Sequence, residues 1–133
     1  YSPGTNDIRC YALDRMENVI ISDKVFKMPK NLEPADYFKD CFGIINNKNS
    51  DVQKVVLKVD AFQSNYIRNL PLHDSQKETK RTDEYSIFEY HLKPEFDFEQ
   101  EIFSNMDAME VLEPLWLREE VKERIKNLAS KYL

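Results

Sequence analysis

Glycine is scarce in this sequence. Gly4 and Gly43 are the only two glycines among 133 residues. A loop that cradles phosphate needs several glycines, because the backbone must approach the ligand closely. The dinucleotide-binding and P-loop classes of nucleotide-binding protein are therefore excluded, and no cofactor is expected.

Cysteine and long apolar runs are also lacking. Cys10 and Cys41 are the only cysteines, and their separation matches neither a metal-ligand spacing nor a CxxC redox motif. Two structural thiols in a reduced compartment are the simpler interpretation. The sequence shows no signal peptide and no apolar run of the ~20 residues that a bilayer span needs. We therefore expect a cytoplasmic protein with no membrane partner.

Basic residues are outnumbered by acidic ones. The chain has 19 Lys and Arg against 24 Asp and Glu, a net charge of −5. Wrapping of duplex DNA needs clustered Lys and Arg on the protein surface. Any contact with duplex DNA is therefore expected to belong to another part of the protein, which fits a chain that begins with Tyr1 rather than a start methionine.

The remaining composition is that of a globular protein, with 41% hydrophobic and 32% charged residues. From Asp51 onward, apolar periodicity predicts a regular order of elements. The predicted elements are strand 52–60, helix 61–70, strand 76–82, strand 85–92, helix 95–105, strand 109–112 and a long closing helix. The order βαββαβ with a terminal helix is the ferredoxin-like arrangement, an antiparallel sheet with helices on one face. The predicted fold class for 51–133 is therefore α+β.

Spacing also predicts which residues share a face of each helix. Asp60 is the expected N-cap of the first helix. The residues predicted to share a face are Phe62, Tyr66 and Leu70 in the first helix, Phe98, Ile102 and Met106 in the second, and Leu117, Val121, Ile125, Leu128 and Tyr132 in the last.

The first fifty residues do not show the regular order of elements predicted from Asp51 onward. Alternation at 8–13 and the β-branched run at 19–21 predict two strands in the segment 1–22. Two strands cannot hold a fold alone, so their partners are expected upstream of the chain. Residues 23–50 read as a connector with a short helix beginning at Pro34, and the polar run 46–50 is the best domain boundary.

Several segments resemble the WYL-domain family of bacterial transcription regulators. The string RCYALDRM at 9–16 resembles the WYL strand segment that reads R-x-Y-x-L-D-R-I/M. Further similarity follows in family order and spacing along nearly the whole chain. The similar segments are FKMP at 26–29, DYF at 36–38, FGI at 42–44, LPLHDSQ at 70–76 and VLEPLWLR at 111–118.

The resemblance implies an organisation and a function. It identifies 1–22 as the last strands of a WYL domain's small β-barrel and 51–133 as the family's C-terminal extension. The naming Trp-Tyr-Leu tripeptide and the DNA-binding helix-turn-helix domain are expected upstream of Tyr1. Members are usually homodimers in which the WYL domain is proposed to sense a nucleotide-like or single-stranded nucleic-acid ligand, and the extension dimerises and relays the signal. Duplex DNA would be bound only by the missing domain.

Arg9 and Arg15 match the family's ligand-contacting arginines. A guanidinium is a planar fork of donors suited to phosphate. On one continuous strand the two arginines would share a face with Tyr11, which could stack on a base. The alternative interpretation is that Arg15 pairs with Asp14 or Glu17 and only stabilises the barrel.

Other chemistry-bearing residues are weaker candidates. His73, Asp74 and Ser75 are consecutive, whereas a catalytic triad is assembled in space, so we expect no enzyme activity. The resemblance places His73, Ser75 and Gln76 at a helix-to-strand junction and makes them second-tier ligand candidates. Acidic residues spread along 95–101 favour a solvated helical face over a metal site. Trp116, a large apolar side chain, is expected either in the core or at a dimer contact.

Two functions follow from these observations. The first is a ligand-sensing and dimerisation region of a WYL-family regulator. The alternative is a pure dimerisation module without a ligand site.

Overall fold

A computed structural model describes residues 2, 4, 7–27 and 29–133 of the chain. The chain divides into two compact units, residues 1–37 and residues 38–133. The second unit contains the whole sheet and most of the buried residues.

The second unit has the predicted ferredoxin-like order. Its elements, after the short helix α1 (Pro34–Phe38) at the boundary, are β1 (Gln53–Asp60), α2 (Ala61–Asn69), β2 (Lys77–Arg81), β3 (Tyr85–Leu92), α3 (Phe96–Ser104), β4 (Met109–Glu113) and α4 (Leu115–Ala129). The four strands pair in the order β2-β3-β1-β4, and every neighbouring pair is antiparallel. The α+β fold class and the closing helix are thereby confirmed.

Strand alternation builds the core, as predicted. Leu57 of β1 lies opposite Phe88 of β3, and both side chains are fully buried. The same face of the sheet carries Val55, Val59, Tyr90 and Leu92, and the helices add Ile67, Phe98, Ile102 and Leu117. Full burial of such side chains is worth about 1.5–3 kcal/mol each before the entropy cost of folding. This core holds the helices on one face of the sheet.

The N-terminus of α2 is capped as predicted. The Asp60 carboxylate accepts a hydrogen bond from the backbone N–H of Gln63 at 2.7 Å. The buried face of this helix, however, is formed by Ser64 and Ile67. Ser64 is small enough to let the helix approach the sheet, and its hydroxyl donates to the carbonyl of Val59.

The predicted apolar face of α2 is therefore its exposed face. Phe62, Tyr66 and Leu70 are 70%, 56% and 79% exposed. The two aromatic rings contact each other edge to face, with centroids 5.2 Å apart. Spacing placed these three residues together correctly, but the packing of the helix turned them to solvent.

The other two helices bury only part of their predicted faces. Phe98 and Ile102 are buried, but α3 ends at Ser104 and Met106 is exposed with a φ of 49°. In α4, Leu117 is buried, Val121 is half-buried, and Ile125 and Leu128 are exposed. The helix ends at Ala129, so Tyr132, which was predicted to continue this face, lies beyond the helix and is exposed.

The two strands predicted within 1–22 are not formed by the described part of that segment. Ser2 and Asp7 form an isolated bridge, and Leu13–Arg15 form a 3-10 helix. A strand exists only by pairing, and the extended residues on either side have no paired neighbour here. Residues 1, 3, 5 and 6 of the predicted segment, and residue 28 of the connector, lie outside the described residues. The assignment of 1–22 to a WYL domain remains a prediction.

No helix formed by the described residues is both long and apolar enough to cross a membrane.

Candidate functional site

Arg9, Tyr11 and Arg15 lie in the first compact unit, and all three side chains are exposed. The 3-10 helix at Leu13–Arg15 interrupts the extended chain. The prediction that Arg9 and Arg15 share a face of one continuous strand is therefore wrong, because the period of two does not continue through a helical turn.

Both arginines keep their hydrogen-bonding capacity. Within the described residues, neither guanidinium forms an ion pair or hydrogen bond, and the alternative pairing of Arg15 with Asp14 or Glu17 is not formed. A guanidinium without an internal partner can present its donors to an anion. The assignment of these residues to a ligand site remains a prediction.

The loop after α2 holds the second-tier candidates in internal hydrogen bonds. His73 Nδ1 lies 2.8 Å from Ser75 Oγ, and His73 Nε2 lies 2.9 Å from the carbonyl of Lys39. Ser75 Oγ donates to the carbonyl of His91 and accepts from its backbone N–H. His73 and Ser75 therefore fasten the loop to β3 and to the connector.

Gln76 completes this fastening. Its amide nitrogen donates to the carbonyl of Ile67, and its Oε1 accepts from the backbone N–H of Leu72 and from the hydroxyl of Tyr90. Burial raises the pKa of the Tyr90 phenol, which therefore stays a neutral donor. One amide side chain thus joins α2, the loop and the centre of β3.

Trp116 lies in the first turn of α4 and is 47% exposed beside the exposed Leu115. It is absent from the buried core cluster, to which Leu117 belongs. The prediction that Trp116 contacts a second subunit remains a prediction.

An ion pair between a buried glutamate and a partly exposed arginine joins α3 to α4. Nη2 of Arg124 lies 2.9 Å from Oε2 of Glu99, whose side chain is 9% exposed. Burial raises the pKa of the Glu99 carboxyl, and Glu120 raises it further, whereas Arg124 lowers it. The alignment of the pair is poor, since Glu99 Oε2 has no hydrogen-bond donor among the described residues. The guanidinium also lies 5.8 Å from the ring centroids of Phe96 and Phe103.

Beside this ion pair, residues of α3 and α4 line an open groove of about 750 Å³. Its lining is mainly apolar and includes three charged side chains. The apolar lining residues are Ile102, Phe103, Met106, Met109, Val121, Ile125 and Leu128, and the charged ones are Asp107, Arg124 and Lys131. This surface, the α3–α4 groove, was not predicted from the sequence. The spacing of apolar residues in the closing helix indicated which side of that helix is apolar, but not that the C-terminal half of that side would remain uncovered.

The described residues contain no group of three or more His, Cys, Asp or Glu side chains placed to hold a metal ion. The acidic run at 95–101 spans the N-cap and first turns of α3. Glu95, Asp97 and Glu101 are half-buried and Glu99 is buried, so the prediction of a solvated helical face is wrong at Glu99. Both cysteines are free, and Cys41 is buried whereas Cys10 is exposed.

The comparisons with known proteins identify the second unit. A family model, the WCX domain, matches residues 51–129, which is more than half of the chain. No curated protein matches the chain significantly. The matched range begins at the residue that follows the predicted domain boundary and covers all four strands and the three long helices. The WCX domain is a C-terminal domain associated with WYL regulators, and the chain belongs to the WCX domain family.

Proposed function

We propose that this chain is the ligand-sensing and dimerisation region of a bacterial, cytoplasmic WYL-family transcription regulator. The observation that carries the proposal is the WCX match at 51–129, together with the segment RCYALDRM at 9–16, which resembles a WYL strand. DNA binding would belong to a helix-turn-helix domain elsewhere in the protein. The region is proposed to have no enzymatic activity, because His73 and Ser75 are engaged in holding a loop.

The proposed ligand is a single-stranded nucleic acid or a nucleotide-like anion held by Arg9 and Arg15. Both side chains are exposed and keep their donors unused among the described residues. Two guanidinium groups can bind adjacent phosphates, and the exposed ring of Tyr11 can stack on a base. Such binding weakens steeply with salt, because phosphate capture releases counterions.

A ligand acts only if it binds one arrangement of the dimer better than another. The proposed signal is therefore a change in how two chains are arranged, which the missing DNA-binding domain would read. This distinguishes a sensor from a pure dimerisation module, whose arrangement a ligand would leave unchanged.

The test is a titration of a fluorescent, short single-stranded oligonucleotide into the full-length protein at about 50 and 200 mM salt. Arg9→Ala and Arg15→Ala are each expected to raise Kd at least about tenfold, or roughly 1.4 kcal/mol. The matched control is Lys24→Ala, which removes one exposed positive charge from the same unit. Equal binding by all four proteins would refute the arginine site and favour the pure dimerisation module.

A further inference from the structure

We propose that residues 39–50 form a strap that closes on the WCX domain and opens by itself while the sheet stays folded. The FGI segment at 42–44, which has no part in the proposed function, is the catch of this strap. The regulatory part of the inference rests on the proposed function, because opening of the strap is the change that a ligand at Arg9 and Arg15 would control.

Lys93, which follows β3, holds the strap at two places. Its backbone N–H donates to the carbonyl of Asp40 at 2.8 Å. Its ammonium group donates to Oδ1 of Asn46 at 3.0 Å and to the carbonyl of Asn47 at 3.1 Å. One lysine therefore fastens both ends of the loop between Asp40 and Asn47.

The catch lies between these two points, at Phe42 and Gly43. The ring of Phe42 meets the buried ring of Phe98 edge to face, with centroids 5.4 Å apart. Gly43 lies so close to the carboxylate of Asp97 that a Cβ on this glycine would be 2.5 Å from Oδ2. The same Oδ2 accepts a hydrogen bond from the backbone N–H of Ile45 at 3.3 Å. A side chain at residue 43 would therefore have to displace this carboxylate before the strap could close.

The ends of the strap are fastened separately. The carbonyl of Lys39 lies 2.9 Å from Nε2 of His73, and the hydroxyl of Ser50 donates to the carboxylate of Glu95. These partners belong to the loop after α2 and to the N-cap of α3. Within the described residues, the pairing of the four strands does not involve the strap. The strap can therefore leave the domain without breaking the sheet.

The strap covers little apolar surface. Among its residues, all of which the structure describes, Cys41 alone is buried, and Phe42 is half-buried. Ile44 is 70% exposed, although it belongs to the catch. Opening would therefore break hydrogen bonds at the surface and uncover few apolar groups. Segments with few buried contacts open locally, at a free-energy cost well below that of global unfolding.

Opening would change how the chain is held where it enters the domain. The second compact unit begins at residue 38, so the strap is the segment through which the chain enters it from the first unit. A closed strap fixes this entry, and an open strap releases it. A ligand shifts the balance between the two states only if it binds one of them better than the other.

Cys41 supplies a direct readout of opening. Burial raises the pKa of its thiol, and a buried, protonated thiol reacts slowly with a disulfide reagent. Peptide mass spectrometry of the full-length protein follows its labelling, with the exposed Cys10 as the internal reference for reagent activity. Labelling through local opening should hardly change with urea below the unfolding transition, because little surface is exposed. Labelling through unfolding of the sheet would rise steeply with urea.

The experiment compares the labelling rate of Cys41 in variants of the strap. Gly43→Ala is expected to raise the rate about tenfold or more, because the new Cβ would clash with the Asp97 carboxylate. The matched control is Gly4→Ala, since a Cβ at Gly4 meets no atom of the described residues within 4 Å, and it should change the rate less than about twofold. Lys93→Met removes two hydrogen bonds without a clash and should raise the rate about fivefold.

A double-mutant cycle isolates the contact between Gly43 and Asp97. Asp97→Ala removes the carboxylate that accepts from Ile45, and it should raise the labelling rate about fivefold. Adding Gly43→Ala to this variant should raise the rate less than about twofold further, because the carboxylate that the Cβ would meet is gone. Two independent increases would refute these residues as the catch.

The ligand arm separates this inference from the function on which it rests. A saturating short single-stranded oligonucleotide is expected to change the Cys41 rate about threefold or more, and to leave it unchanged in the Arg9→Ala, Arg15→Ala double variant. A wild-type rate that rises with urea as steeply as unfolding of the sheet, or one that Gly43→Ala leaves unchanged, would refute the strap.

An oligonucleotide that binds without changing the Cys41 rate would refute the regulatory role of the strap and leave the ligand site standing. Absence of oligonucleotide binding would refute the proposed function and that role together, whereas the urea series and the variants would still decide whether the strap opens by itself.

Discussion

The guanidinium of Arg68 in α2 binds the carboxylate of Glu78 in β2 through two parallel contacts. Nε lies 2.9 Å from Oε2, and Nη2 lies 2.8 Å from Oε1. Ser86 of β3 donates a third hydrogen bond to Oε1 at 2.7 Å. The carboxylate thus ties the helix to two strands at the sheet edge, with both charged side chains about three-quarters buried.

Replacing Arg68 should destabilise the fold measurably. Arg68→Ala leaves the largely buried carboxylate of Glu78 without its cation, and we expect a loss of about 1–3 kcal/mol in the free energy of unfolding. Arg68→Lys keeps the charge but not the planar fork, and should recover less than half of that loss. Urea unfolding followed by circular dichroism measures both. If Arg68→Ala unfolds at the wild-type urea concentration, the bridge contributes nothing to stability.

The same pair should make stability depend on pH in the acidic range. The guanidinium of Arg68, with help from Ser86, lowers the pKa of the Glu78 carboxyl to about 2 from an ordinary value of 4.5. Because the folded-state pKa is the lower one, this stabilisation is present above the ordinary pKa and is lost as the pH falls towards 2.

Glu78→Gln is the variant that isolates this effect. At pH 7 it should be less stable than the wild type by on the order of 2 kcal/mol, and the difference should shrink steadily between about pH 5 and pH 2. Unfolding curves at a series of pH values give the difference directly. A gap that stays constant across that range would show that the lost contact is not the ionised carboxylate.

The buried carboxyl of Glu99 should behave in the opposite sense. Its pKa is raised, first by burial, so its ionisation opposes folding as the pH rises above the ordinary value. Glu99→Gln keeps the shape without the charge. We expect it to match or exceed the wild-type stability at pH 7, by up to about 1 kcal/mol, and to lose that advantage at acidic pH.

Arg124 provides the matched test of this interpretation. Arg124→Met should destabilise the wild type more than it destabilises Glu99→Gln, because only in the wild type does it leave a buried charge unpaired. A double-mutant cycle measures the difference. Equal losses in the two backgrounds would mean that Arg124 acts through its other contacts, with Phe96, Phe103 and Glu120.

The loop after α2 should depend on Gln76 for its position. Gln76→Leu removes three hydrogen bonds and leaves the Tyr90 hydroxyl buried without an acceptor, so we expect a loss of about 2–4 kcal/mol. Lys77→Ala, at the exposed neighbouring residue, should change stability by less than about 0.5 kcal/mol. Thermal unfolding of the wild type, Gln76→Leu and Lys77→Ala under the same conditions measures both changes in stability.

The strands of the sheet could be predicted from the sequence, because apolar residues alternate there with a period of two and the same residues are buried in the structure. Leu57 and Phe88 lie within the predicted strands 52–60 and 85–92, and the register places them opposite each other. The sequence was insufficient for α2, where the larger apolar residues lie outside and Ser64 lies inside. Periodicity finds a face but cannot tell which side of a helix the sheet will occupy, and here close approach favoured the small residue.

The candidate sites show the same limit. Arg68 and Glu78 are ten residues apart on different elements, so no local spacing brings them together. The internal hydrogen bonds of His73 and Gln76 could be seen only once β3 and the connector were in place. Arg9 and Arg15 were found through a resemblance, and the 3-10 turn between them was not indicated by the alternating pattern.

The most direct test of ligand sensing is small-angle X-ray scattering from the full-length dimer, with and without a saturating short single-stranded oligonucleotide. We predict that the oligonucleotide changes the scattering profile of the wild type, and that it leaves the profile of the Arg9→Ala, Arg15→Ala double variant unchanged at the same concentration. A wild-type profile that does not change although the oligonucleotide is bound, or an equal change in both proteins, would contradict the proposal that these arginines couple a ligand to the arrangement of the dimer.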